Sequence, residues 1–423
     1  HSGWNFFATS DLKYDDLLVR VAYDIWSFDI DFGMKLYFPE LDLVLAEVPR
    51  TDARLDKFVF NPQHSIEIFH NRFTYGAEYV LNYYKSDLLV DPSQSEHRLG
   101  VYVQDEFDLQ ALIESAGGSF PPMTVTAGLR FDYNSITEHA FSPRAALVYV
   151  PIQNHSLRLG YARAFLKPTF FETSLIINLD DPNNLGFESL SMASPDLKNE
   201  TIDSLEFGYS GNFLDNRLVL KLDLAYNWYR NKIWFNYDPD AMNYRTVGPL
   251  SVPDLNGPGF NFINHESGFD GHNVELQIIV RPTDRSRLFV NVGYRQIFDM
   301  GTKEFASDES VWHLAAGGDL NLAKGWTASV RAFYTSSYII SIRGPGGALD
   351  DQVTQTIPDW WFLNARVAWS LSKQPYELTV GLEAFNLLNF RFREFGGISQ
   401  PNEPDFGGEM LGRRITLFLH GEM

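Results

Sequence analysis

Apolar and polar residues alternate one by one along many segments of this chain. Over residues 217–228, the even positions hold leucine, tyrosine and tryptophan, whereas the odd positions include Lys221, Asp223 and Asn227. A β-strand places successive side chains on opposite faces, and a helix cannot produce this separation. We count about seventeen such segments, each near the roughly ten residues that a tilted strand needs to cross membrane hydrocarbon. Further clear examples begin at Val125, Leu288 and Leu378.

The connections between these segments alternate between short and long. Short ones fall at 14–16, 70–72, 151–155, 214–216, 282–285, 323–325 and 372–375, and long ones at 178–199, 236–270, 300–310, 342–359 and 396–410. The connection 111–122 breaks this rule, because it is long where a short turn is expected. Transmembrane barrels have short turns at one end and long loops at the other, whereas a soluble sandwich with Greek-key connections has no reason to sort its loops by length. We therefore expect an all-β fold, a transmembrane antiparallel up-and-down β-barrel.

Composition excludes several other classes of protein. No Ser/Gly tract or charge block marks a domain boundary, so residues 1–423 are read as one unit. The absence of Cys excludes a disulfide scaffold and a thiolate metal site. A net charge of −20 makes nucleic acid an unsuitable partner, and no apolar run approaches the roughly 18 to 20 residues of a membrane-spanning helix.

The two faces of the segments predict different environments. Tryptophan and tyrosine side chains anchor at membrane interfaces, where an apolar ring with a polar tip is favoured. Such residues stand near segment ends on the apolar face: Trp312, Trp326, Tyr334, Trp361, Trp369, Tyr226 and Trp228. The opposite face, which would line a wet interior or pack a polar plug, carries charges of both signs: Glu78, Glu106, Arg130, Arg158, Glu206, Lys221, Glu275, Arg295, Arg331, Arg366 and Glu383.

Five stretches resemble motifs of the TonB-dependent receptors, and they follow the family's order. Residues 383–389, Glu-Ala-Phe-Asn-Leu-Leu-Asn, are similar to the signature of the penultimate strand, and 412–417, Gly-Arg-Arg-Ile-Thr-Leu, to the opening of the last strand. Upstream, 195–201, Pro-Asp-Leu-Lys-Asn-Glu-Thr, resembles a third motif, although Ser194 and Asn199 depart from it. The stretches 141–144, Phe-Ser-Pro-Arg, and 164–169, Ala-Phe-Leu-Lys-Pro-Thr, complete the series.

This resemblance implies a receptor of the Gram-negative outer membrane that imports a scarce ligand such as an iron chelate, vitamin B12 or a carbohydrate. The family's barrel has 22 strands around a plug, so about 17 strands would leave roughly five, the plug and the TonB-contacting segment upstream of this chain. Residues 1–423 are then expected to be the C-terminal portion of the barrel. The implied partners are outer-membrane lipid, the TonB complex and a small-molecule ligand, with no cofactor.

An odd number of strands has a consequence for the two ends of the sheet. In an up-and-down sheet, the first and the seventeenth strands run in the same direction. We therefore expect the segment near 4–14 and the final segment 414–419 not to pair with each other. The chain also ends in Met423 rather than in the aromatic residue common at the end of such barrels, so we expect its assembly to be less efficient.

The longest loop contains the candidate ligand-binding residues. It offers aromatic and polar surface for a large ligand through Tyr237, Tyr244, Phe260, Phe262, His265 and His272. Glu266 and Asp270 stand near the two histidines, but polar loop residues explain this group better than a metal site does. The pairs at 180–181 and 350–351 are acidic, and solvation of the loops is a simpler explanation for them than calcium binding. No metal site is therefore predicted.

Known catalytic motifs are absent from the sequence. There is no Gly-x-Ser-x-Gly, no His-Glu-x-x-His and no Walker loop, because the glycine-rich stretch 343–347 lacks the required Lys and Ser or Thr. We therefore expect a receptor rather than an enzyme. The alternative is a passive porin-like or adhesin barrel of the outer membrane, which would need no plug.

Overall fold

A computed structural model describes most of the chain. The described residues are 2–31, 35–38, 43–180, 189–237, 243–247, 250–253, 260–304, 310–343, 352–373, 376–390, 392–393 and 410–422.

Seventeen strands of the described residues form one large sheet. Each pairs antiparallel with the next along the chain, in the up-and-down order predicted, so the fold class and the strand count are confirmed. The strands are β1 Ser2–Tyr14, β2 Leu17–Ile30, β3 Thr51–Ile68, β4 Asn71–Ser86, β5 Ser93–Asp108, β6 Met123–Asn134, β7 Ala140–Ile152, β8 His155–Leu166, β9 Glu200–Phe213, β10 Leu218–Arg230, β11 Phe269–Thr283, β12 Ser286–Asp299, β13 Trp312–Asn321, β14 Trp326–Thr335, β15 Trp360–Lys373, β16 Tyr376–Phe385 and β17 Arg414–Glu422.

The first and last strands lie at the two edges of this sheet. β1 pairs with β2, β17 pairs with β16, and no pairing within the described part of the chain joins β1 to β17. Because the strand number is odd, these two strands run in the same direction, as expected from the alternation of turns and loops.

The connections at one end of the sheet are short. They lie at 15–16, 69–70, 153–154, 214–217, 284–285 and 322–325, and several contain a residue with positive φ, such as Asp15 and Asn154. Asparagine and aspartate tolerate this left-handed conformation better than most residues, which favours a tight reversal. The exceptional connection 109–122 contains a short helix, α1 Leu109–Ser115, whose first turn is capped by the Asp108 side chain.

The connections at the opposite end are longer and carry their own secondary structure. They include a second short helix, α2 Phe170–Ser174, and six small hairpins. The hairpin strands are Lys35–Phe38 with Leu43–Glu47, Ile176–Asn178 with Ser189–Ser191, Ile233–Tyr237 with Phe260–Asn264, Tyr244–Val247 with Leu250–Pro253, Tyr338–Arg343 with Gln352–Ile357, and Phe392–Arg393 with Met410–Leu411. No helix of the described residues is long and apolar enough to cross a membrane.

One face of the sheet exposes large apolar side chains at every second position. Leu129 and Phe131 on β6 are 42% and 43% exposed, and Leu288 and Val290 on β12 are 51% and 43% exposed. In water, such a continuous apolar surface would be unfavourable, whereas hydrocarbon is its natural solvent. We call this the outer face, and the opposite face the inner face.

Aromatic side chains border the outer face where the sequence predicts them. At the long-loop end, rings meet across neighbouring strands: Tyr294 and Trp312 at 4.8 Å between centroids, and Tyr334 and Trp361 at 4.6 Å. At the short-turn end, the Trp369 indole donates to the Lys324 carbonyl at 3.1 Å. These two aromatic borders mark the limits of the membrane-spanning part of the sheet.

Candidate functional site

Charged side chains on the inner face pair with one another, both within a strand and across strands. Arg130 of β6 lies 2.7 Å from Asp132 and 3.2 Å from Glu78 of β4. Arg158 of β8 contacts two carboxylates in the same way, and Arg366 of β15 lies 3.1 Å from Glu383 of β16. The wall is therefore hydrophilic but locally neutralised, which suits an interior that contacts water or a polar ligand.

A glycine on this face lets one long side chain lie flat on the wall. The Tyr102 ring of β5 covers Gly76 of β4, and its hydroxyl donates to Gln63 at 2.9 Å. A Cβ at Gly76 would come within 2.5 Å of the Tyr102 hydroxyl and 2.7 Å of the Pro62 carbonyl. The close approach therefore requires glycine at this position.

A cavity of about 1230 Å³ lies along the inner face of β10 to β16. Asp223, Glu275 and Arg295 give it one polar side. The other side is aromatic: Trp360 lies 4.7 Å and Phe385 5.3 Å from the Phe362 ring, between centroids. A surface with one charged and one aromatic side can hold a large ligand that has both kinds of group.

The aromatic side of this cavity was missed by sequence reasoning. Phe333, Trp360, Phe362 and Phe385 stand on the positions that point inward, where the alternation calls for polar residues. Each therefore breaks the period-two pattern of its strand. That break was the available signal, because Phe333 stands two positions from Arg331, and Phe385 two positions from Glu383, on the face assigned as polar.

A buried ion pair holds the chain that follows β8 against the wall. Lys167 Nζ lies 2.7 Å from Glu96 Oε1 of β5, and Glu96 is 1% exposed. The side-chain amides of Asn82 and Asn134 also donate to the Glu96 carboxylate, each at 2.7 Å. A buried charge is tolerated only when it is paired and hydrogen-bonded, and both conditions are met here.

The residues after Lys167 extend this attachment. Thr169 and Glu172 form a capping box that starts α2, and the Phe170 ring packs on Tyr84 of β4 with centroids 3.7 Å apart. Backbone bonds then join Val90 to the Ser174 carbonyl at 2.9 Å and Ile176 to the Leu88 carbonyl at 2.8 Å. We call residues 167–178 the docked segment. The motif at 164–169 thus begins a segment that is attached to β4, β5 and the connection between them at the long-loop end of the sheet.

Asparagines connect the motif at 195–201 to the longest loop. The Lys198 backbone donates to the Asn264 side chain at 2.8 Å, and Asn264 donates back to the Lys198 carbonyl at 3.0 Å. Asn264 also donates to the Asn231 carbonyl at 2.8 Å. Asn199, which departs from the family motif, is 4% exposed and donates to the Glu138 carbonyl at 3.1 Å. These bonds fix the base of the longest loop.

The candidate ligand residues of that loop fall in different places. Tyr237 and Phe260 are paired in one hairpin, where Phe262 packs on Phe235 at 5.2 Å between centroids. Tyr244 lies in the second hairpin and is 55% exposed. The ligand-binding role of these residues stays a prediction.

The two histidines are not brought together. His265 Nδ1 lies 2.9 Å from Ser267 Oγ, which donates to Asp299 at 2.7 Å. That bond, with the Gly301 and Thr302 amides, holds the pKa of Asp299 below its usual range at the tip of β12. His272 points to the outer face of β11, against the Tyr226 ring at 4.8 Å. Among the described residues, no group of three or more acidic or histidine side chains could hold a metal ion.

The acidic pairs lie mostly outside the described residues. Residues 181, 350 and 351 are not described, and Asp180 pairs through its backbone with Glu47.

The closing motif at 383–389 forms a structured turn at the end of β16. Asn386 is fully buried with φ of 51°, donates to the Phe390 carbonyl at 2.8 Å and accepts from the Phe390 amide at 3.1 Å. Asn389 has φ of 52° and accepts from the Arg413 amide at 3.2 Å. The two asparagines therefore supply a left-handed backbone and link the motif to the start of the last strand.

The sequence profile described as "TonB dependent receptor-like, beta-barrel" matches residues 2–387. The chain belongs to the TonB-dependent receptor family. None of the curated protein sequences matches it.

Solved receptor structures share the fold of this family member. A ferric enterobactin receptor, PfeA, from Pseudomonas aeruginosa is 15% identical, with a TM-score of 0.71 over 99% of this chain and 60% of that one. The siderophore receptor PirA from Acinetobacter baumannii is 15% identical, with a TM-score of 0.70 over 99% and 61%. This chain thus spans about three fifths of the length of these receptors.

Proposed function

We propose that this chain forms the barrel wall and the long loops of an outer-membrane receptor. The receptor imports an iron–siderophore complex with energy delivered by TonB. The observation that carries the proposal is the family match over residues 2–387. In this proposal, the chain is the C-terminal part of a longer receptor. The plug and the TonB-contacting segment lie upstream, and the protein is a transporter rather than an enzyme.

The chemistry of the inner face supports a large chelate as the ligand. An iron chelate carries hard polar groups around the metal and, in many ligands of this class, aromatic or apolar groups outside. The cavity along β10 to β16 offers both kinds of surface, with Arg295 and Glu275 on one side and Phe362 on the other. Solved relatives include a PfeA structure in complex with enterobactin.

Uptake of radiolabelled iron by cells that carry the full-length gene tests this proposal. Deletion of the gene should abolish uptake of one siderophore from a panel, and the plasmid-borne gene should restore it. Removal of TonB should abolish the same uptake in the complemented strain. A passive porin-like barrel would instead admit small solutes without TonB, and uptake that persists at the same rate in a strain without TonB would contradict the proposal.

A further inference from the structure

A second recess, of about 310 Å³, lies on the inner face at the long-loop end of β8 to β12. Six apolar residues line it from strand positions that point inward: Ala164, Leu166, Ile202, Tyr229, Phe269 and Ile297. The strand register places four of them in one row across β8 to β11. Like the aromatic side of the larger cavity, this row is apolar where the alternation calls for polar residues. We call this recess the rim pocket.

A lysine without a carboxylate partner borders the rim pocket. Lys232 Nζ lies 5.2 Å from the centroid of the Phe269 ring and 5.7 Å from that of the Trp234 ring. No carboxylate in the part of the chain that the structure describes forms an ion pair with it. Glu200 also lines the pocket, but its Oε1 accepts from the Ile233 amide at 2.6 Å. Aromatic rings attract a cation without neutralising its charge, so the Lys232 ammonium is held in place and stays available to an anion.

The base of the longest loop stands beside the rim pocket. The Lys232 carbonyl accepts from the His265 amide at 2.7 Å, and the His265 ring lies 5.0 Å from the Phe269 ring, between centroids. His265 is one of the six predicted ligand residues, and Trp234 next to it is 53% exposed. At the opposite side, Arg295 lines both the rim pocket and the larger cavity. The rim pocket therefore lies between the loop and that cavity.

We propose that the rim pocket binds an apolar arm of the imported ligand that carries an anionic group. The arm lies against the six apolar side chains, which remove it from water. The anionic group lies on Lys232, because an ammonium binds anionic oxygens through charge-assisted hydrogen bonds. This inference names a chemical feature of the ligand and rests on the proposed function for the import of that ligand.

Two fluorescent probes test the inference on the purified full-length receptor in lipid nanodiscs. Anilinonaphthalene sulfonate has apolar rings and an anionic group, whereas phenylnaphthylamine has the same rings and no charge. After subtraction of the signal from empty nanodiscs, we expect the wild type to bind the sulfonate more tightly. Lys232→Gln should weaken binding of the sulfonate about tenfold or more and leave the neutral probe unchanged. Ala164→Leu occupies part of the pocket and should weaken binding of both probes.

Lys198→Gln and Ala162→Leu are the matched controls. Lys198 is also exposed and lies at the base of the same loop, and Ala162 lies on the inner face of β8, two positions from Ala164. Neither lines the rim pocket, so both variants should bind the probes as the wild type does. Heat-modifiable migration in gels verifies folding. Lys232→Gln changes an exposed side chain and tests the inference by itself if Ala164→Leu does not assemble.

Three results would overturn the inference. The first is unchanged binding of the sulfonate by folded Lys232→Gln, and the second is an equal loss in Lys198→Gln. The third is a wild-type receptor that binds neither probe, because another part of the receptor, such as the plug, would then fill the pocket.

Probe binding and uptake separate this inference from the proposed function, because binding of the probes requires no transport. Sulfonate binding that depends on Lys232, together with iron uptake that does not need TonB, would contradict the proposed function and support the pocket. Uptake that needs TonB, in a receptor that binds neither probe, would contradict the pocket alone. If both proposals hold, Lys232→Gln should raise the ligand concentration for half-maximal uptake and leave the maximal rate unchanged.

Discussion

Lys167 and Glu96, which are 71 positions apart in the sequence, form an ion pair with 2.7 Å between Nζ and Oε1. The Glu96 side chain is 1% exposed, so bulk water does not solvate its carboxylate. The pair joins the chain that leaves β8 to the wall strand β5. It thereby holds the docked segment against the wall at the long-loop end of the sheet.

We predict that Glu96→Gln detaches the docked segment. Glutamine removes the charge that faces the Lys167 ammonium, whose side chain is 20% exposed, and the loss of this charge-assisted bond costs about 1–3 kcal/mol. Hydrogen exchange in the full-length receptor should show faster exchange at Val90 and Ile176, whose amides bond across the junction. The double change Glu96→Gln with Lys167→Met should exchange more slowly than Glu96→Gln alone. Unchanged protection at Val90 in Glu96→Gln would show that the packing of Phe170 on Tyr84 is sufficient by itself.

A second prediction concerns the turn at Asn386. Asn386→Gly keeps the left-handed backbone at low cost but loses the side-chain bonds to Phe390, whereas Asn386→Ala loses both. Resistance of the folded receptor to urea should therefore decrease in the order wild type, glycine variant, alanine variant, with steps of about 1–2 kcal/mol. Leu388→Ala is the control, because Leu388 is exposed in the same turn. An alanine variant as stable as the glycine variant would contradict a role for the positive φ.

The longest loop gives the third prediction. Deletion of residues 240–262 removes Tyr244, Phe260 and Phe262, and we expect it to reduce binding and uptake of the cognate ligand at least tenfold. His272→Ala should have the smallest effect among the six candidate residues, because His272 points to the outer face against Tyr226. Unchanged uptake after the deletion would exclude this loop from ligand capture. Loss of uptake in His272→Ala, with normal assembly, would contradict the outward position.

Residue pattern alone was sufficient for the architecture, for a physical reason. Lipid outside and polar groups inside impose the period of two on every strand. The residue type therefore predicts the face of the sheet, as for the apolar Leu288 on the outer face and the charged Lys221 on the inner face. The turn residues Asp15 and Asn154 similarly report local backbone conformation.

The sites were less accessible because they depend on register and on contacts distant in sequence. Nothing near Lys167 in the sequence indicates that its partner is Glu96. The connection 111–122 is long in the sequence, as an exception to the alternation, but the alternation does not predict the helix Leu109–Ser115. His272 follows loop residues and was grouped with His265, yet its position in β11 gives it the phase of Val274 and Leu276, on the outer face. A shift of one residue in the alternation moves a side chain from the inner face to the outer, lipid-facing side of the sheet.

The last prediction concerns the aromatic side of the inner cavity. Phe333 lines the cavity from β14, next to Phe362 on β15. If the ligand contacts this surface, Phe333→Ala should raise the ligand concentration for half-maximal uptake by about tenfold, since a buried aromatic contact contributes about 1–3 kcal/mol. Val330→Ala is the control, because Val330 lies on the same strand, faces outward and is 48% exposed. Both variants should assemble to the level of the wild type. A raised half-maximal concentration with an unchanged maximal rate would indicate a binding contact, whereas a lower rate alone would point to transport through the lumen and contradict this role for Phe333.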